Sequence, residues 1–534
     1  MFVSYKRVAV CYLMVTVLMF ICVFRVYAIA KNENYKDAAE SETIRKITLN
    51  QSRGTIFDCN MNRITNSQSL YYAVIFDEPM AMATLYKYFS GQQIEEITQE
   101  ICKNGFALRT VSREIICDGI YCVKTYSHAD DSLIAKHIIG YTDSNGKGVC
   151  GLESAYDDLL ATDRVNTLSF NISGQGKVLG SGKPLLNYDY DKENDGIRIT
   201  IDKNIQQIAE QAAMDITCGA VVVTDVKSGK IRALVSRPDY KLSDLTSAIN
   251  NENEPLLNRV LCTYNIGSVF KPLVAIAGYE KGESATVNCV GYTNIDGLSF
   301  ACHRLMGHGL VDITDALKFS CNSFFYNYIQ QVGAEAVIKT ARKAGFESEI
   351  VLCDGLKCKK GNIGNISFIT TSKRALANLS IGQGELMLSP LAITNLYMAI
   401  AGGGSYRAPS LVEGVVSDQK LKEKISPIAP VRIMSKNTAD KLKRDLATVL
   451  EEGGTGEKAK PTLTSAAGKT GTAQTGVVKN GKKVTNSWFC GFFPFEEPQY
   501  AVTVFSENAT DGCGAIFAAI ADRITEYNLD ANIN

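Results

Sequence analysis

The chain of 534 residues carries no net charge, 56 Lys and Arg against 56 Asp and Glu, so no single-signed field points to nucleic acid. Histidine is scarce. His128, His137, His303 and His308 show neither a metalloprotease spacing nor an obvious triad partner, and none is assigned a catalytic role. Among sixteen cysteines no C-x-x-C pair repeats, so the spacing argues against a zinc site, and neither a metal nor a cofactor is expected. No internal repeat and no low-complexity tract appears. The composition, 46% hydrophobic, is normal for globular cores, and the length leaves room for more than one domain.

What is present begins at the N-terminus. Val8 to Phe24 is an uninterrupted apolar run preceded by Lys6 and Arg7, and with Val26 to Ala30 it approaches the length that spans a bilayer, although Arg25 interrupts it. The basic residues ahead of it place the N-terminus in the cytoplasm and everything after about residue 31 outside. Ala28-Ile29-Ala30 resembles a cleavage site, so a signal peptide is the rival reading. The run exceeds the usual h-region and Arg25 lies just before that site, which favours an uncleaved, single-pass anchor in the cell membrane, with any chemistry of the chain extracytoplasmic. Cys11 and Cys22 lie in the anchor. The other cysteines either pair, Cys353 with Cys358 or Cys117 with Cys122 for instance, or stay free and pack as small hydrophobes, the favoured reading.

Three short motifs follow in order: Ser268-Val269-Phe270-Lys271, Ser320-Cys321-Asn322 and Lys469-Thr470-Gly471. Singly, the first two say little. Ser-x-x-Lys recurs at Ser144/Lys147 and Ser417/Lys420, and Ser-x-Asn at Ser435/Asn437 and Ser506/Asn508, whereas Lys-Thr-Gly occurs once. Context selects among the copies. Ser268 follows Gly267 and precedes a helix-compatible apolar run containing Pro272. Proline lacks an N–H and crowds the carbonyl four residues earlier, so that helix should begin at about Ser268 and bring Lys271 beside the Ser268 hydroxyl. Ser144/Lys147 sits in a glycine-rich turn and Ser417/Lys420 in a polar stretch, both read as solvated.

The chemistry of the three motifs is complementary. A serine hydroxyl needs a base, and Lys271 serves only when neutral, which requires burial and a nearby like charge for which Lys469 is the candidate. Ser320, with Asn322 held by hydrogen bonds, suits proton relay to a leaving amine. Lys469 and Thr470 on an edge strand suit a terminal carboxylate, Gly471 permits close approach of a substrate backbone, and the N–H groups of Ser268 and Thr472 are the natural oxyanion donors.

Strands are expected at Ile197 to Asp202, Ala220 to Thr224, Ile231 to Val235, from Thr472 onward, at Trp488 to Phe493 and at Ala501 to Phe505, with a closing helix over Ile516 to Ile524. Residues from about 266 to 400 read as largely helical. A sheet completed from both ends of a segment, around an inserted helical lobe, would place the three motifs in one cleft. The stretch Ser173 to Gly182 reads as an exposed hairpin or boundary loop.

From about residue 50 to the end the chain resembles a class B penicillin-binding protein. Besides the three motifs, the resemblance rests on Arg53-Gly54-Thr55-Ile56-Phe57-Asp58, on His137 to Tyr141 followed by Gly151-Leu152-Glu153, on His308-Gly309, Gly382-Gln383-Gly384 with Ser389-Pro390, Gly454-Thr455-Gly456, and Trp488 to Phe492. It implies an α+β architecture in three parts: a cytoplasmic stub and transmembrane helix over 1–30, a mixed α/β pedestal over 31–190, and a transpeptidase domain over 191–534 whose antiparallel sheet carries an inserted all-helical lobe. It also implies a D,D-transpeptidase that cross-links peptidoglycan stem peptides ending in D-Ala-D-Ala through an acyl-enzyme on Ser268. β-Lactams would acylate the same serine, and a SEDS-type glycan polymerase would be its partner. A D,D-carboxypeptidase or β-lactamase of the same superfold, or a non-catalytic scaffold or β-lactam sensor, are the alternatives. Ile266 stands where proline is usual before Gly-Ser, Cys321 fills the variable middle of the second motif, and Cys59 and Met61 replace the Arg and Gly that commonly continue the pedestal signature.

Overall fold

In the computed structural model, residues 5–31, 44–51, 53–161, 165–171, 185–187, 194–426, 428–479 and 481–533 are described. The expected loop from Ser173 to Gly182 lies outside them. The chain forms two compact units: a smaller one of Met1–Ser52, Gln68–Ser127 and Thr162–Asp191, and a larger one of Arg53–Ser67, His128–Ala161 and Lys192–Asn534.

In the smaller unit the apolar run forms one helix, Tyr5–Lys31, with none of its residues buried. Its length and apolar composition are enough to cross a bilayer. A three-stranded antiparallel sheet has Gln68–Phe76 at its centre, flanked by Phe106–Val111 and Ile120–Ser127. One face carries Ala73 and Ile75 against Ile94, Ile97 and Ile101 of the helix Gly91–Asn104. The other carries Val74 and Phe76 against Leu168 and Phe170, the period-2 alternation of a strand buried on both sides.

The larger unit is built on a five-stranded antiparallel sheet of Gly219–Asp225 (β1), Ile231–Arg237 (β2), Ala467–Lys479 (β3), Lys482–Phe493 (β4) and Tyr500–Ser506 (β5). Its order, β2-β1-β5-β4-β3, joins strands from both ends of the segment, as the sequence pattern requires. The tight connection between β1 and β2 has Gly229 at φ +74° and the Asp225 carboxylate accepting from the Ser228 N–H.

Between β2 and β3 lies the inserted lobe, with helices Lys271–Lys281 (α1), Ile313–Lys318 (α2), Asn322–Val332 (α3) and Pro390–Ala401 (α4). It also holds short two-stranded ribbons, among them Val287–Cys289 with Gly309–Val311 and Tyr292–Ile295 with Leu298–Ala301. Every residue of α4 is buried, as its unbroken apolar sequence demands, and Ser389 caps its N-terminus by accepting from the Ala392 N–H. The closing helix, Cys513–Ile533 (α5), packs Phe517 on Phe489 of β4.

The segments around Arg53 and Glu153 are part of this larger unit. Thr55–Phe57 pairs in parallel with Gly196–Ile199. The Arg53 guanidinium makes a 2.6 Å ion pair with Glu153 and a 2.8 Å one with Asp157, and His128 approaches the other Glu153 oxygen at 2.8 Å. The two signature blocks therefore meet as one buried polar cluster.

Candidate active site

The nucleophile candidate sits on a tight helical turn, Gly267–Phe270, that runs directly into α1. Pro272 falls in the first turn of that helix, where its missing N–H costs nothing. Gly267 has φ +62°, and a Cβ there would stand 2.6 Å from the Thr472 carbonyl oxygen. Only glycine lets the serine turn lie this close to β3. Gly471 acts similarly. Its missing Cβ would stand 2.9 Å from Val269 Cγ1 and 3.0 Å from the Ile266 carbonyl, so this glycine serves the approach of strand to turn. Two further bonds fix the turn: Tyr397 of α4 donates to the Val269 carbonyl at 3.1 Å, and the Trp488 indole donates to the Asn265 carbonyl at 3.0 Å.

The second motif links α2 to α3. Ser320 has φ +53°, a strained left-handed conformation for a non-glycine residue, held by the Cys321 N–H bonding back to the Ala316 carbonyl at 2.9 Å. That turn aims Ser320 and Asn322 at the first motif. Lys271 Nζ bonds the Ser320 carbonyl at 2.6 Å, the Ser320 hydroxyl at 3.1 Å and Asn322 Oδ1 at 2.7 Å. Lys271 is fully buried, and burial lowers its pKa from 10.5 to about 7.

Lys469 is also fully buried and is likewise shifted well down, first by burial and then by the positive charge of Lys271. The like charge expected to act on Lys271 is thus felt at Lys469, while burial governs Lys271. Lys469 Nζ lies 3.2 Å from the Thr470 carbonyl and 3.4 Å from its hydroxyl, and that hydroxyl meets Thr455 at 3.0 Å.

An open cleft of about 1240 Å³ brings the three motifs together, lined by Ser268, Ser320, Asn322, Thr470, Gly471 and Thr472. Strand alternation on β3 puts Thr470, Thr472 and Gln474 towards the cleft and buries Lys469 and Ala473 behind them. Gln474 was therefore legible from the position of Thr472. Tyr326, Asn378 and Thr485 also line the cleft, and no spacing rule marks them. The rival serines lie elsewhere. Ser144 and Lys147 are exposed in a turn, Ser417 and Lys420 flank a hairpin bend, and Ser435 caps the helix Lys436–Thr448.

Beside the second motif the fold gathers Cys289, Cys302, His308 and Cys321, whose ligand atoms all lie within 4.8 Å of one another. No paired C-x-x-C marks this cluster in the sequence. The ribbons of the lobe assemble these four from widely spaced positions instead. All sixteen cysteines are free thiols, the pairs Cys353/Cys358 and Cys117/Cys122 included.

The family model described as the penicillin binding protein transpeptidase domain matches residues 219–526. Stage V sporulation protein D of Bacillus subtilis is 27% identical over 496 residues, covering 87% of this chain and 72% of that protein. The peptidoglycan D,D-transpeptidase MrdA of Acinetobacter baumannii is 26% identical over 418 residues, covering 72% of this chain and 61% of its own length. In structure, the penicillin-binding protein of Helicobacter pylori solved in complex with MreC superposes with a TM-score of 0.64 at 19% identity, covering 92% of this chain and 100% of that one. The match holds more than half of the sequence and includes all three motifs, and the chain belongs to the penicillin-binding protein transpeptidase family.

Proposed function

We propose that this protein is a peptidoglycan D,D-transpeptidase in which Ser268 is the nucleophile. The observation that carries the reading is the buried Lys271 amine, bonded to both polar members of the second motif and one helical turn from Ser268. With a pKa brought down to about 7, Lys271 is neutral in a large fraction of molecules at neutral pH. The neutral amine donates two N–H bonds, to the Ser320 carbonyl and Asn322 Oδ1, and keeps a lone pair that accepts a hydroxyl proton.

Ser268 Oγ attacks the carbonyl carbon of the penultimate D-alanine of a stem peptide. Its proton passes to Lys271 and, through Ser320, to the departing nitrogen. The C–O ester bond forms and the peptide C–N bond breaks, releasing D-alanine. The N–H groups of Ser268 and Thr472 stabilise the oxyanion, Thr470, Gly471 and Thr472, which line the cleft, receive the terminal carboxylate, and Lys469, buried behind them beside the Thr470 hydroxyl, supports that site from within. An amine of a neighbouring stem then attacks the ester, the new C–N bond replaces the C–O bond, and the proton returns to Ser268. A β-lactam enters the same first step, and its opened ring cannot leave.

The helix Tyr5–Lys31 anchors the chain in the membrane with the catalytic part outside, and the rest of the smaller unit serves as the pedestal, whereas Arg53–Ser67 and His128–Ala161 belong to the larger unit with the transpeptidase sheet. A SEDS-type glycan polymerase is the partner that this arrangement suits. Fluorescent-penicillin labelling of membranes, with mass-spectrometric mapping, tests the assignment. A label that persists for many minutes on Ser268 and is lost in Ser268→Ala supports it. Rapid turnover of the label would instead identify a β-lactamase or carboxypeptidase, and full complementation of growth by Ser268→Ala a scaffold.

A further inference from the structure

Formal charge in the cleft is gathered in one place. Among the described residues that line it, Glu457 and Asp511 supply the only carboxylates and Lys458 the only ammonium. Lys458 stands on the short turn Glu457–Ala459, three residues after Thr455, whose hydroxyl meets that of Thr470 at 3.0 Å. Asp511 stands on the loop between β5 and α5. Lys458 Nζ and Asp511 Oδ2 lie 2.8 Å apart, and the two side chains are 76% and 67% exposed.

This pair has little to do for the fold. Ion pairs so exposed add little to stability, because water and salt screen them. Both loops are also held by other means. The Cys513 thiol donates to the Ser487 carbonyl at 3.3 Å, a Cβ on Gly514 would stand 3.2 Å from Ala459 Cβ, and the Ala459 N–H closes its turn on the Gly456 carbonyl at 2.8 Å. The remaining Asp511 oxygen accepts the Gly512 N–H at 2.8 Å, while Glu457 turns its carboxylate to the Gly453 N–H at 3.2 Å.

The path of a stem peptide leads to this place. β3 is the edge strand of its sheet, so an extended peptide adds along it as a further strand. With the terminal carboxylate at Thr470 and Thr472, the residue before the two D-alanines runs past Gln474. Gln474 pairs with Thr485 of β4, whose hydroxyl donates to the Ala509 carbonyl at 3.2 Å, and the Asn508 N–H bonds Asn486 Oδ1 at 3.3 Å. The loop carrying Asp511 is thereby fastened beside that residue. Donor and acceptor stems come from one polymer, and an acceptor must carry an amine, so the donor carries one as well. An amine alone needs only a carboxylate. The cleft instead offers a carboxylate and an ammonium side by side, the charge pattern of an amino-acid end turned end for end.

We propose, on the transpeptidase reading of the cleft, that Lys458 and Asp511 form a subsite for a zwitterionic side-chain end, an ammonium and a carboxylate on one carbon, borne by the stem residue that precedes the two D-alanines. Lys458 receives the carboxylate and Asp511 the ammonium. The four charges close into a ring in which each has two neighbours of opposite sign, so the protein pair keeps its own attraction while it binds. The subsite selects among stems and leaves the chemistry to Ser268.

The test uses the full-length chain in detergent and four synthetic peptides ending in D-Ala-D-Ala, identical except in the preceding side chain. One ends in the free amino acid, one has that carboxylate amidated, one has that amine acetylated, and one ends in a methyl group. The quantity read is the peptide concentration that halves the rate of fluorescent-penicillin labelling of Ser268. The zwitterionic peptide should protect at roughly tenfold lower concentration than either singly blocked one, and roughly a hundredfold lower than the methyl one, as charge-assisted hydrogen bonds at a partly exposed site allow. Lys458→Ala should abolish the preference for carboxylate over carboxamide and keep that for amine over acetamide, and Asp511→Asn should do the reverse. Lys436→Ala, which breaks an exposed ion pair with Asp440 outside the cleft, should leave all four values unchanged.

The native series decides even where a variant fails to fold. Equal protection by the four peptides, no protection by the zwitterionic one, or both preferences retained in both variants would overturn the subsite with the catalytic reading intact. A native chain whose Ser268 takes no penicillin would overturn the transpeptidase reading and the subsite with it.

Discussion

Lys271 Nζ stands 2.7 Å from Asn322 Oδ1, joining two motifs about fifty residues apart inside a site from which water is excluded on the lysine side. The contact does two things. It holds the amine in place when neutral, and it fixes the side chain of Asn322, which lines the cleft. Replacing the acceptor leaves a buried amine short of a partner. Asn322→Ala should lower the acylation rate with penicillin by roughly 10- to 100-fold, and Lys271→Ala, which removes the base, by roughly 100- to 10,000-fold. Rapid-quench labelling measures both, and near-native rates in either variant would sink the assignment.

The lowered pKa of Lys271 has a kinetic consequence with a definite sign. Only the neutral amine accepts the serine proton, so acylation should rise with pH, about tenfold per unit below pH 7, and level off above a midpoint of about 7. The same shift acts on stability. Between about pH 7 and 10.5 the unfolded chain holds this proton and the folded chain does not, so the group's contribution to stability rises with pH over that window and is constant below it. Stopped-flow acylation from pH 5.5 to 9 checks the first expectation. A flat profile would show that Lys271 does not titrate there.

The sheet and the inserted lobe were legible because alternating strands and a buried helix write their period into the sequence, as the unbroken run Pro390 to Ala401 does for α4. The three motifs were legible by order, and the left-handed Ser320 was not, because nothing in Ser-Cys-Asn marks a positive φ. Nor could spacing show that Lys271 bonds the second motif, since that contact depends on the turn at Ser320. The cysteine cluster failed for a related reason: ligands 13, 6 and 13 residues apart are adjacent only once the ribbons Val287–Cys289 and Gly309–Val311 pair. Gly471, expected to give a substrate backbone room, lines the cleft, and its missing Cβ also makes room for Val269 and Ile266, which the motif alone does not reveal.

Arg53 and Glu153 explain why two short blocks a hundred residues apart are joined in one signature. Glu153 is 1% exposed and is held ionised below its usual range, against the effect of its burial, by His128 and Arg53 together. Arg53→Ala would remove the guanidinium partner of that carboxylate, of Asp157 and of the Gly146 carbonyl at once, leaving Glu153 only His128 and Asp157 only the Gly148 N–H. It should destabilise the larger unit by about 3 to 5 kcal/mol, the cost of breaking a buried pair from one side. The loss should be visible as a fall in the thermal midpoint with no change in the penicillin-acylation rate of the protein that remains folded.

Met61 offers the opposite change. It stands at φ +66°, in the turn closed by the Met61 N–H on the Asp58 carbonyl and by the Asn60 and Asn62 N–H groups on Asp58 Oδ1. A side chain in that left-handed region costs roughly 1 to 2 kcal/mol. Glycine removes the strain but raises the entropy of the unfolded chain, by roughly 0.4 to 1 kcal/mol, and gives up the partial burial of the methionine. The difference favours Met61→Gly by about 0.5 kcal/mol. Because the turn is fixed by Asp58 and not by the side chain at 61, the substitution should leave acylation untouched while raising the unfolding midpoint slightly. A lowered midpoint would mean that methionine packing outweighs the backbone strain at this turn.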